Sequence, residues 1–512
     1  MNFSIHRLIS LVSDQYPDNI AVQNGAQIIT YKELDERSNS FAAYLISLGV
    51  RPGCFIPIIA RKSVSVFIVL LGILKTGAAY VPISTDFSIE TIHKILSQIE
   101  AKIICIDDDI LTMYDKNEVI RHIPLSFVFS QENNLQAKFD CLEGAGNEYA
   151  YMVFTSGSTG DPKGVLVTHN NLIATYRSWE VVYQLSPDDK HLQMANISFD
   201  VFAGDWIRAF CSGATLVLCD KSVLLSAEKL YYLIDSVKIT VAEFVPAILR
   251  ILIKYCERKT KRLSSFRLLL CGSDVWTMSE YRKVKLLCEP QARVVSSYGL
   301  TEATIDSTYF EEKNGSLLKN EDLVPLGVPF PHVSTYIVNE EFEAKDSGEL
   351  LIGGQGVAHG YFNNNALEQG RFITGSDHKQ KLFRTGDCVK KLSDGNIYFY
   401  GRNIHCINVR GVRIDLNAVE STLKGHPDIE QALLLTKNTN DESKSELDLY
   451  IVPNNDSLTY NSVKEYIIKK INNFPFPKSI FIVEQLFLTF NNKINRKYIP
   501  TEIKKVLTEH SP

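Results

Sequence analysis

The chain has 512 residues, of which 45% are hydrophobic and 22% are charged. This composition is ordinary for a globular protein and excludes the wholly disordered and fibrous classes, and the length allows two or more domains with sizeable cores. The formal net charge of -5 is small, so we expect no broad basic face for nucleic acid or for an anionic membrane. Small molecules and individual proteins are therefore the expected partners.

Ten cysteines are scattered along the chain without a CxxC pair. Several lie in apolar, strand-like runs, as Cys105 does, and reduced structural thiols in a cytoplasmic protein are the simplest interpretation. No stretch of the sequence approaches the length of a membrane span, and the N-terminus lacks the charged-then-apolar pattern of a signal peptide. We therefore expect a soluble, cytoplasmic protein.

Apolar, strand-like runs alternate with amphipathic, helix-like segments along most of the chain. Hydrophobic periodicity and turn residues predict strands at 55–60, 103–106, 215–219 and 266–271. The same signals predict helices at 31–48, 63–76, 227–237 and 278–287. Because strands and helices alternate, we expect an α/β fold of doubly wound layers with largely parallel sheets.

The pattern changes towards the C-terminus. Short strand-like runs at 334–338 and 349–352 predict a barrel-like or mixed sheet. The sequence after Gly401 predicts a helix at 416–424, strands at 431–436 and 447–452, and a helix at 462–471, which suits a small α+β domain. We therefore predict a large N-terminal domain, residues 1–402, and a small mobile C-terminal domain, residues 403–512.

Residues 154–164 (Phe-Thr-Ser-Gly-Ser-Thr-Gly-Asp-Pro-Lys-Gly) concentrate glycines and hydroxyl side chains in one loop, between a predicted buried strand at 151–154 and a predicted helix at 170–183. Glycines let backbone N–H groups approach an anion, hydroxyls add donors, and a lysine adds positive charge. The loop is not a Walker A loop, because Pro162 precedes Lys163 and Gly164 follows it. A flexible linker is the alternative interpretation. Phosphate binding is the favoured function, and the candidate ligands are Thr155, Ser156, Gly157, Ser158, Thr159, Gly160 and Lys163.

Six further motifs accompany this loop in a fixed order: residues 30–34 (Thr-Tyr-Lys-Glu-Leu), 74–82 (Leu-Lys-Thr-Gly-Ala-Ala-Tyr-Val-Pro), 298–302 (Tyr-Gly-Leu-Thr-Glu), 348–350 (Gly-Glu-Leu), 384–387 (Arg-Thr-Gly-Asp) and 492–494 (Asn-Lys-Ile). With them the chain resembles, nearly end to end, the adenylation domains of nonribosomal peptide synthetases. These belong to the larger group of acyl-CoA synthetases and luciferases that make acyl-adenylates. The resemblance implies ATP and Mg²⁺ as cofactors, an amino acid as substrate, and a carrier protein with a phosphopantetheine thiol as partner. It leaves open whether a small activating protein is also needed.

The resemblance also implies a nucleotide site. Tyr298 offers a flat face for adenine, and Glu302 offers a hard oxygen ligand for Mg²⁺. Asp387 would accept hydrogen bonds from the ribose hydroxyls, and Arg402 would add charge near the ribose and phosphate. The simpler interpretations are a core tyrosine, a surface glutamate, a turn aspartate and a surface arginine. Two further positions complete the nucleotide site, Gly272 and Thr301.

Lys493 lies in a polar loop and, taken alone, is a surface lysine. In the family, the matching lysine comes from the small domain and reaches the carboxylate and α-phosphate during adenylation, where it would stabilise charge in the transition state. With Lys163 it is the candidate catalytic residue. Because such chemistry needs positioning and charge neutralisation more than a protein nucleophile, the absence of a recognisable catalytic triad is expected.

The sequence departs from the family at residues that act in the second step, for which the small domain rotates. Ile404 stands at the hinge position, where the family has aspartate, and residues 406–408 read Cys-Ile-Asn in place of Gln-Val-Lys. Leu300 replaces a usual proline, and Asn492 and Asn495 replace the glycine and aspartate around the lysine. The altered hinge motivates one alternative, a module that binds nucleotide without turnover. A second alternative is a fatty-acid or aryl-acid CoA ligase of the same fold.

The substrate is predicted from the family's pocket positions. Asp200 would pair with an α-ammonium group, which argues against a CoA ligase. Burying Glu243 and Asp306 without partners would be unfavourable, so a cationic substrate side chain is expected, unless Glu243 is exposed or pairs with a protein cation. Gly204 leaves depth for a side chain, and Cys271, larger than the glycine usual in the ornithine-type set, favours a shorter one. We expect ornithine or 2,4-diaminobutyrate first and lysine next, bound by Asp200, Val201, Gly204, Glu243, Leu269, Cys271, Ser297, Ile305 and Asp306.

Overall fold

The computed structural model describes residues 4–111, 120–130, 146–156, 162–313, 317–339, 343–363, 370–374, 380–402, 406–409, 412–437, 446–455, 457–468, 476–487, 500 and 502–508. By packing, the chain divides into two compact units. The first comprises Met1–Leu318, Val324–Tyr336 and Leu351–Thr385, and the second comprises Lys319–Leu323, Ile337–Leu350 and Gly386–Pro512. A division by packing does not locate a hinge, so the boundary at residues 402 and 403 stays a prediction.

The described residues form helices α1 (Ile5–Gln15), α2 (Tyr31–Ser47), α3 (Val64–Lys75), α4 (Ile89–Gln98), α5 (His169–Trp179), α6 (Asp200–Ser212), α7 (Lys221–Leu224), α8 (Ala227–Val237), α9 (Pro246–Lys259), α10 (Met278–Leu287), α11 (Leu416–Lys424) and α12 (Tyr460–Ile468). A π-helical turn, Glu180–Gln184, continues α5, and short 3-10 helices lie at Leu125–Phe129 and Thr301–Ala303. Within this part of the chain, no helix combines the length and the apolar character needed to cross a bilayer.

The strands over the same ranges are β1 (Ile20–Asn24), β2 (Gln27–Thr30), β3 (Phe55–Ala60), β4 (Ala79–Ser84), β5 (Ile103–Ile106), β6 (Arg121–Pro124), β7 (Tyr149–Ser156), β8 (Pro162–Thr168), β9 (Lys190–Gln193), β10 (Thr215–Leu218), β11 (Val241–Phe244), β12 (Leu268–Cys271), β13 (Arg293–Tyr298), β14 (Thr308–Phe310), β15 (Val328–Pro329), β16 (Val333–Val338), β17 (Ser347–Gly354), β18 (Gly360–Tyr361), β19 (Phe372–Thr374), β20 (Lys381–Lys391), β21 (Ile397–Arg402), β22 (Cys406–Val409), β23 (Val412–Asp415), β24 (Ile429–Lys437), β25 (Glu446–Pro453), β26 (Ser479–Val483) and β27 (Ile503–Thr508).

Two large sheets form the first unit. In the described residues the nine-stranded sheet has the order β15-β14-β13-β12-β11-β9-β10-β1-β2, and the seven-stranded sheet has the order β18-β8-β7-β4-β3-β5-β6. The strands from β13 to β1 and from β7 to β6 run parallel. The antiparallel pairs lie at both ends of the nine-stranded sheet and at the β18 end of the seven-stranded sheet. Because helices cover parallel sheets on both faces, their strands are apolar runs such as Ile103–Ile106, which is wholly buried. The predicted α/β fold with largely parallel sheets is confirmed.

The second unit has its own core. Strands β24, β25, β26 and β27 form a sheet in that order within the described residues, and β22 pairs with β23. Apolar residues of α11, such as Leu423, and of α12, such as Val463, pack against this sheet. Strand β21 pairs with the second half of β20. The predicted small α+β part is thus present. Helix α11 has the predicted ends, 416 and 424, and the described ends of β24, β25 and α12 lie within a few residues of the predicted ones.

Two of the sequence motifs have structural roles at the start of α2 and at the end of α3. Thr30 and Glu33 form a capping box, in which the Thr30 hydroxyl accepts from Glu33 N at 3.2 Å and Glu33 Oε2 accepts from Thr30 N at 2.9 Å. The side chain of Lys75 is 1% exposed, and its Nζ donates to Asp35 Oδ1 at 2.7 Å. The Tyr31 hydroxyl donates to the carbonyl oxygen of Ala214 at 2.6 Å, just past the end of α6. These bonds fix α6, on which much of the candidate site lies.

We expect Lys75→Met to lower the free energy of unfolding by about 3 kcal/mol, because it leaves the Asp35 carboxylate in a largely buried position without its cation. Chemical denaturation measures the loss. Lys75→Met combined with Asp35→Asn is the matched control, and it should recover part of the stability because no uncompensated charge remains. A single variant as stable as the wild type would contradict a supporting role for this ion pair.

Candidate functional site

The hydroxyl- and glycine-rich loop joins two paired strands. Thr155 lies opposite Lys163, and Ser156 lies opposite Pro162, in the antiparallel pair β7–β8. The helix predicted at 170–183 is present as α5 and its π-helical continuation. Strand β8, which the sequence did not predict, comes before it, because the apolar run Val165–Val167 is buried and continues the sheet. Thr155 Oγ1 donates to the Lys163 carbonyl oxygen at 3.5 Å. The predicted ligands Gly157, Ser158, Thr159 and Gly160 and the side chain of Ser156 lie outside what the structure describes.

Asp200 begins α6. Its Oδ1 accepts from Val201 N at 2.8 Å, and its carboxylate also accepts a hydrogen bond from the Thr301 side chain. Asp200 keeps some solvent exposure but is surrounded by protein atoms. This desolvation raises the pKa of Asp200 to about 6, even though the two hydrogen bonds and a position in the first turn of a helix favour its charged form. A cation beside Asp200 would hold it ionised.

Arg208, one helical turn beyond Gly204 on α6, is the centre of a buried ion cluster. Its side chain is 1% exposed, and Nη2 donates to Asp205 Oδ1 at 2.8 Å and to Glu243 Oε2 at 2.6 Å. Its Nη1 lies 3.7 Å from Asp306 Oδ2. The prediction that Glu243 and Asp306 lack a protein partner is therefore wrong. Sequence reasoning missed Arg208, although its spacing of four residues from Gly204 places both on one helix face.

The cluster has more carboxyl groups than cations. Three of the described carboxyl groups contact this guanidinium, and burial raises the pKa of Asp205 to about 7 despite the ion pair with Arg208. Burial and the neighbouring Glu243 raise the pKa of Asp306 well above its usual range. Trp179 Nε1 donates to Asp306 Oδ2 at 2.9 Å, and Ser297 Oγ donates to Glu243 Oε1 at 3.2 Å. The arrangement therefore favours a further cation.

A strained turn places Asp306 in this cluster. Thr304 and Ile305 have φ angles of 57° and 74°, in the left-handed region that a β-branched side chain rarely adopts. A Cβ on Gly299 would overlap the carbonyl oxygen of Ile305, so the turn can approach β13 only because residue 299 is glycine. Ile305 Cγ2 lies 3.4 Å from the position of a Cβ on Gly204. The turn thus brings Ile305 and Asp306 to α6.

Strand register corrects two of the predicted pocket positions. Leu269 and Cys271 belong to a hydrophobic cluster that includes Phe244. Cys271 pairs with Phe244, whereas Glu243 pairs with Leu270. Since side chains alternate between the faces of a strand, Leu269 and Cys271 lie on the face away from Glu243. The expected shortening of the pocket by Cys271 is therefore wrong.

Leu270 and Gly272 take the place of Leu269 and Cys271 on the face of Glu243. A Cβ on Gly272 would overlap Ser297 Oγ, which itself bonds to Glu243. Gly272, predicted to bind nucleotide, thus lies beside the substrate positions on the sheet. The sequence could not show this, because a shift of one residue along a uniformly apolar strand leaves its pattern unchanged.

The predicted nucleotide positions fall into two groups. In the first unit Thr301 bonds Asp200, and the Tyr361 hydroxyl donates to Glu302 Oε1 at 2.6 Å. Tyr298 ends β13, and its carbonyl oxygen accepts from Ser307 N at 2.8 Å. In the second unit Asp387 is fully buried and lies opposite Arg402 in the pair β20–β21. Only the backbone of Arg402 is described.

Lys493 lies outside the described residues, as does the altered hinge residue Ile404. Among the residues that the structure does describe, no group of three or more His, Cys, Asp or Glu side chains could hold a metal ion. Mg²⁺ commonly binds one or two carboxylates together with substrate phosphates, and Glu302 offers one such carboxylate, oriented by Tyr361.

A family model described as "AMP-binding enzyme" matches residues 11–362. Gramicidin S synthase 2 of Brevibacillus brevis is 32% identical over 506 residues, which cover 98% of this chain and 11% of that protein. Tyrocidine synthase 3 of Brevibacillus parabrevis is 32% identical over 494 residues, which cover 95% of this chain and 8% of that protein. The chain therefore spans about a tenth of the length of these curated relatives.

Solved structures share the fold. Klebsiella oxytoca NpsA in complex with 3-hydroxyanthranilyl-AMSN has a TM-score of 0.84 at 24% identity, covering 97% of this chain and 98% of that one. A four-domain nonribosomal peptide synthetase bound to AMP and glycine has a TM-score of 0.81 at 23% identity, covering 99% of this chain and 37% of that one. An artificially fused adenylation–PCP di-domain from Klebsiella oxytoca has a TM-score of 0.71 at 25% identity, covering 94% of each chain.

Proposed function

The chain belongs to the AMP-binding enzyme family, and from this premise we propose that it activates an amino acid with ATP. The substrate carboxylate attacks the α-phosphorus of ATP, the bond from that phosphorus to the bridging oxygen of pyrophosphate breaks, and aminoacyl-AMP and pyrophosphate result. The observation that carries the proposal is Asp200, a desolvated carboxylate whose pKa burial raises to about 6. An α-ammonium group is a natural partner for such an acceptor, and a simple carboxylic acid has none to offer.

The cofactor part of the proposal assigns positions to ATP and Mg²⁺. Tyr298 would stack on adenine, Asp387 would hold the ribose hydroxyls, and Glu302 would ligate the metal beside Thr301. The hydrogen bond from Tyr361 that orients Glu302 supports this assignment. Bound Mg²⁺ would neutralise phosphate charge. The phosphate loop, with Thr155, Lys163 and the residues between them, would hold the phosphates through backbone and hydroxyl donors.

A carrier protein is the proposed partner. It would receive the aminoacyl group when its phosphopantetheine thiol attacks the adenylate carbonyl carbon and AMP leaves. The peptide synthases that this chain resembles and the fused adenylation–PCP structure support this step. A cytoplasmic location belongs to the same proposal, and the free thiols of Cys105, Cys219 and Cys271 agree with a reducing compartment.

For the substrate side chain we propose a basic diamino acid, ornithine or 2,4-diaminobutyrate before lysine. Three buried carboxyl groups surround one guanidinium. Glu243 and Asp306 share Arg208 with Asp205, and the raised pKa values of Asp205 and Asp306 follow from burial that one guanidinium does not offset. A substrate ammonium group beside these carboxyl groups would favour their ionised forms and pair with them.

Pyrophosphate exchange with a panel of acids tests this function. We expect exchange with cationic amino acids, at a kcat/KM at least about tenfold above that for uncharged amino acids of equal length, because only a cationic side chain would pair with the carboxyl groups that Arg208 leaves partly compensated. Exchange with fatty or aryl acids alone would favour the CoA-ligase alternative. Nucleotide binding without exchange would favour the non-catalytic alternative, which the altered hinge motivates.

The pH dependence of kcat/KM tests the role of Asp200. The group is ionised above its raised pKa of about 6, so the free enzyme should bind the α-ammonium well above pH 6. Below it, kcat/KM for the amino acid should fall by about tenfold for each pH unit. An unchanged kcat/KM between pH 7 and pH 5 would contradict the pairing of Asp200 with the α-ammonium group.

Lys493 tests the division of labour between the two steps. We expect Lys493→Ala to slow adenylate formation by about a hundredfold or more, on the order of 3 kcal/mol, as for a lost charge stabiliser of the transition state. Thioester formation from preformed adenylate should suffer much less. Single-turnover kinetics of each step measure the difference, and equal losses in both steps would contradict the assignment.

A further inference from the structure

Arg208 occupies space that the proposed substrate side chain would enter. A Cβ placed on Gly204 would lie 3.2 Å from Arg208 Nη1 and 3.4 Å from Ile305 Cγ2. Gly204 and Ile305 are both predicted substrate positions. The guanidinium therefore lies beside two predicted substrate positions, where the end of a side chain extending from Asp200 past Gly204 would meet it.

The guanidinium is held firmly at this place. It donates to carboxylates on two different elements, Asp205 on α6 and Glu243 on β11, and it lies over the Trp179 ring at 4.7 Å. Breaking a buried ion pair by removing one partner is strongly unfavourable, and a cation over a desolvated indole adds further attraction. Arg208 will therefore not swing aside to admit a longer substrate.

Asp306 is only loosely held by the guanidinium. Arg208 Nη1 is fully buried without a hydrogen-bond partner among the described residues, and its nearest carboxylate oxygen, Asp306 Oδ2, is 3.7 Å away. Asp306 Oδ2 accepts a hydrogen bond from Trp179. An ammonium group placed beside Asp306 would therefore bind this carboxyl group without displacing a hydrogen bond from Arg208.

We propose that Arg208 is a specificity-determining residue that limits the length of the cationic substrate side chain, whose ammonium group shares Glu243 and Asp306 with the guanidinium. This inference rests on the proposed function. Along α6 the helix rises about 6 Å from Asp200 to Gly204, and the Arg208 side chain reaches back to within 3.2 Å of a Cβ placed on Gly204. The terminal ammonium group of a short diamino acid stops before the guanidinium. The longer side chain of lysine would bring its ammonium group against the guanidinium, and the two positive charges would repel each other.

A charge-matched pair of substitutions separates the effect of Arg208 on substrate side-chain length from its effect on the charge of the site. Arg208→Gln with Asp205→Asn removes a cation and an anion together and opens volume at the pocket end. Asp205→Asn alone is the control, because it changes the charge but leaves the guanidinium in place. Arg208→Lys is the milder variant, because it keeps the positive charge but replaces the planar guanidinium by a smaller ammonium group. Pyrophosphate exchange with 2,3-diaminopropionate, 2,4-diaminobutyrate, ornithine and lysine gives the length profile of each protein.

For the double variant we expect the kcat/KM ratio of lysine to 2,4-diaminobutyrate to rise at least about tenfold, the scale on which one methylene group is discriminated. Arg208→Lys should shift the ratio in the same direction by a smaller factor, and Asp205→Asn should leave it within about twofold. An unchanged ratio in the Arg208 variants, with the wild type active on diamino acids, would overturn this inference alone. A wild type that exchanges with no diamino acid would overturn the proposed substrate class and this inference with it.

Discussion

The candidate site depends on a buried guanidinium. Arg208 ties together three pieces of the fold: its own helix through Asp205, the central sheet through Glu243, and the turn after β13 through Asp306. Buried charges are tolerated only when they are paired and hydrogen-bonded, so the positions of these three pieces are mutually constrained. The shape of the substrate pocket and the stability of the first unit therefore rest on the same contacts.

The resemblance to the adenylation domains of nonribosomal peptide synthetases, first indicated by seven ordered motifs, is confirmed by the family model, the relatives and the solved structures. The motifs differ in what they contribute. The segment 30–34 supplies a helix cap and a tie to the end of α6, and Lys75 supports α2 from the core. A residue shared within a family can thus serve the chemistry indirectly, by holding the helix that carries Asp200.

Local sequence patterns were sufficient to predict most of the helices and strands. The strands at 55–60 and 103–106 and the helices at 227–237 and 278–287 have the predicted ends, because continuous apolar runs, capping residues and turns mark them in the sequence. Long-range pairing could not be predicted in the same way. Strand β8 was missed because only its neighbour β7 makes it a strand, and the faces of Leu269 and Cys271 were misassigned because the run 268–271 is apolar on both sides. The pairing of Arg208 with Glu243 joins residues that are far apart in the chain, and no local signal announces it.

The left-handed backbone at Thr304 and Ile305 has a consequence for protein engineering. Such conformations cost on the order of 1–3 kcal/mol each, and they persist only when their surroundings impose them. Glycine would adopt the conformation with less strain, but both side chains are buried, so the cavity left by truncation would offset the gain. The same substitutions would loosen the placement of Asp306, so relief of strain in this turn would disturb the candidate site.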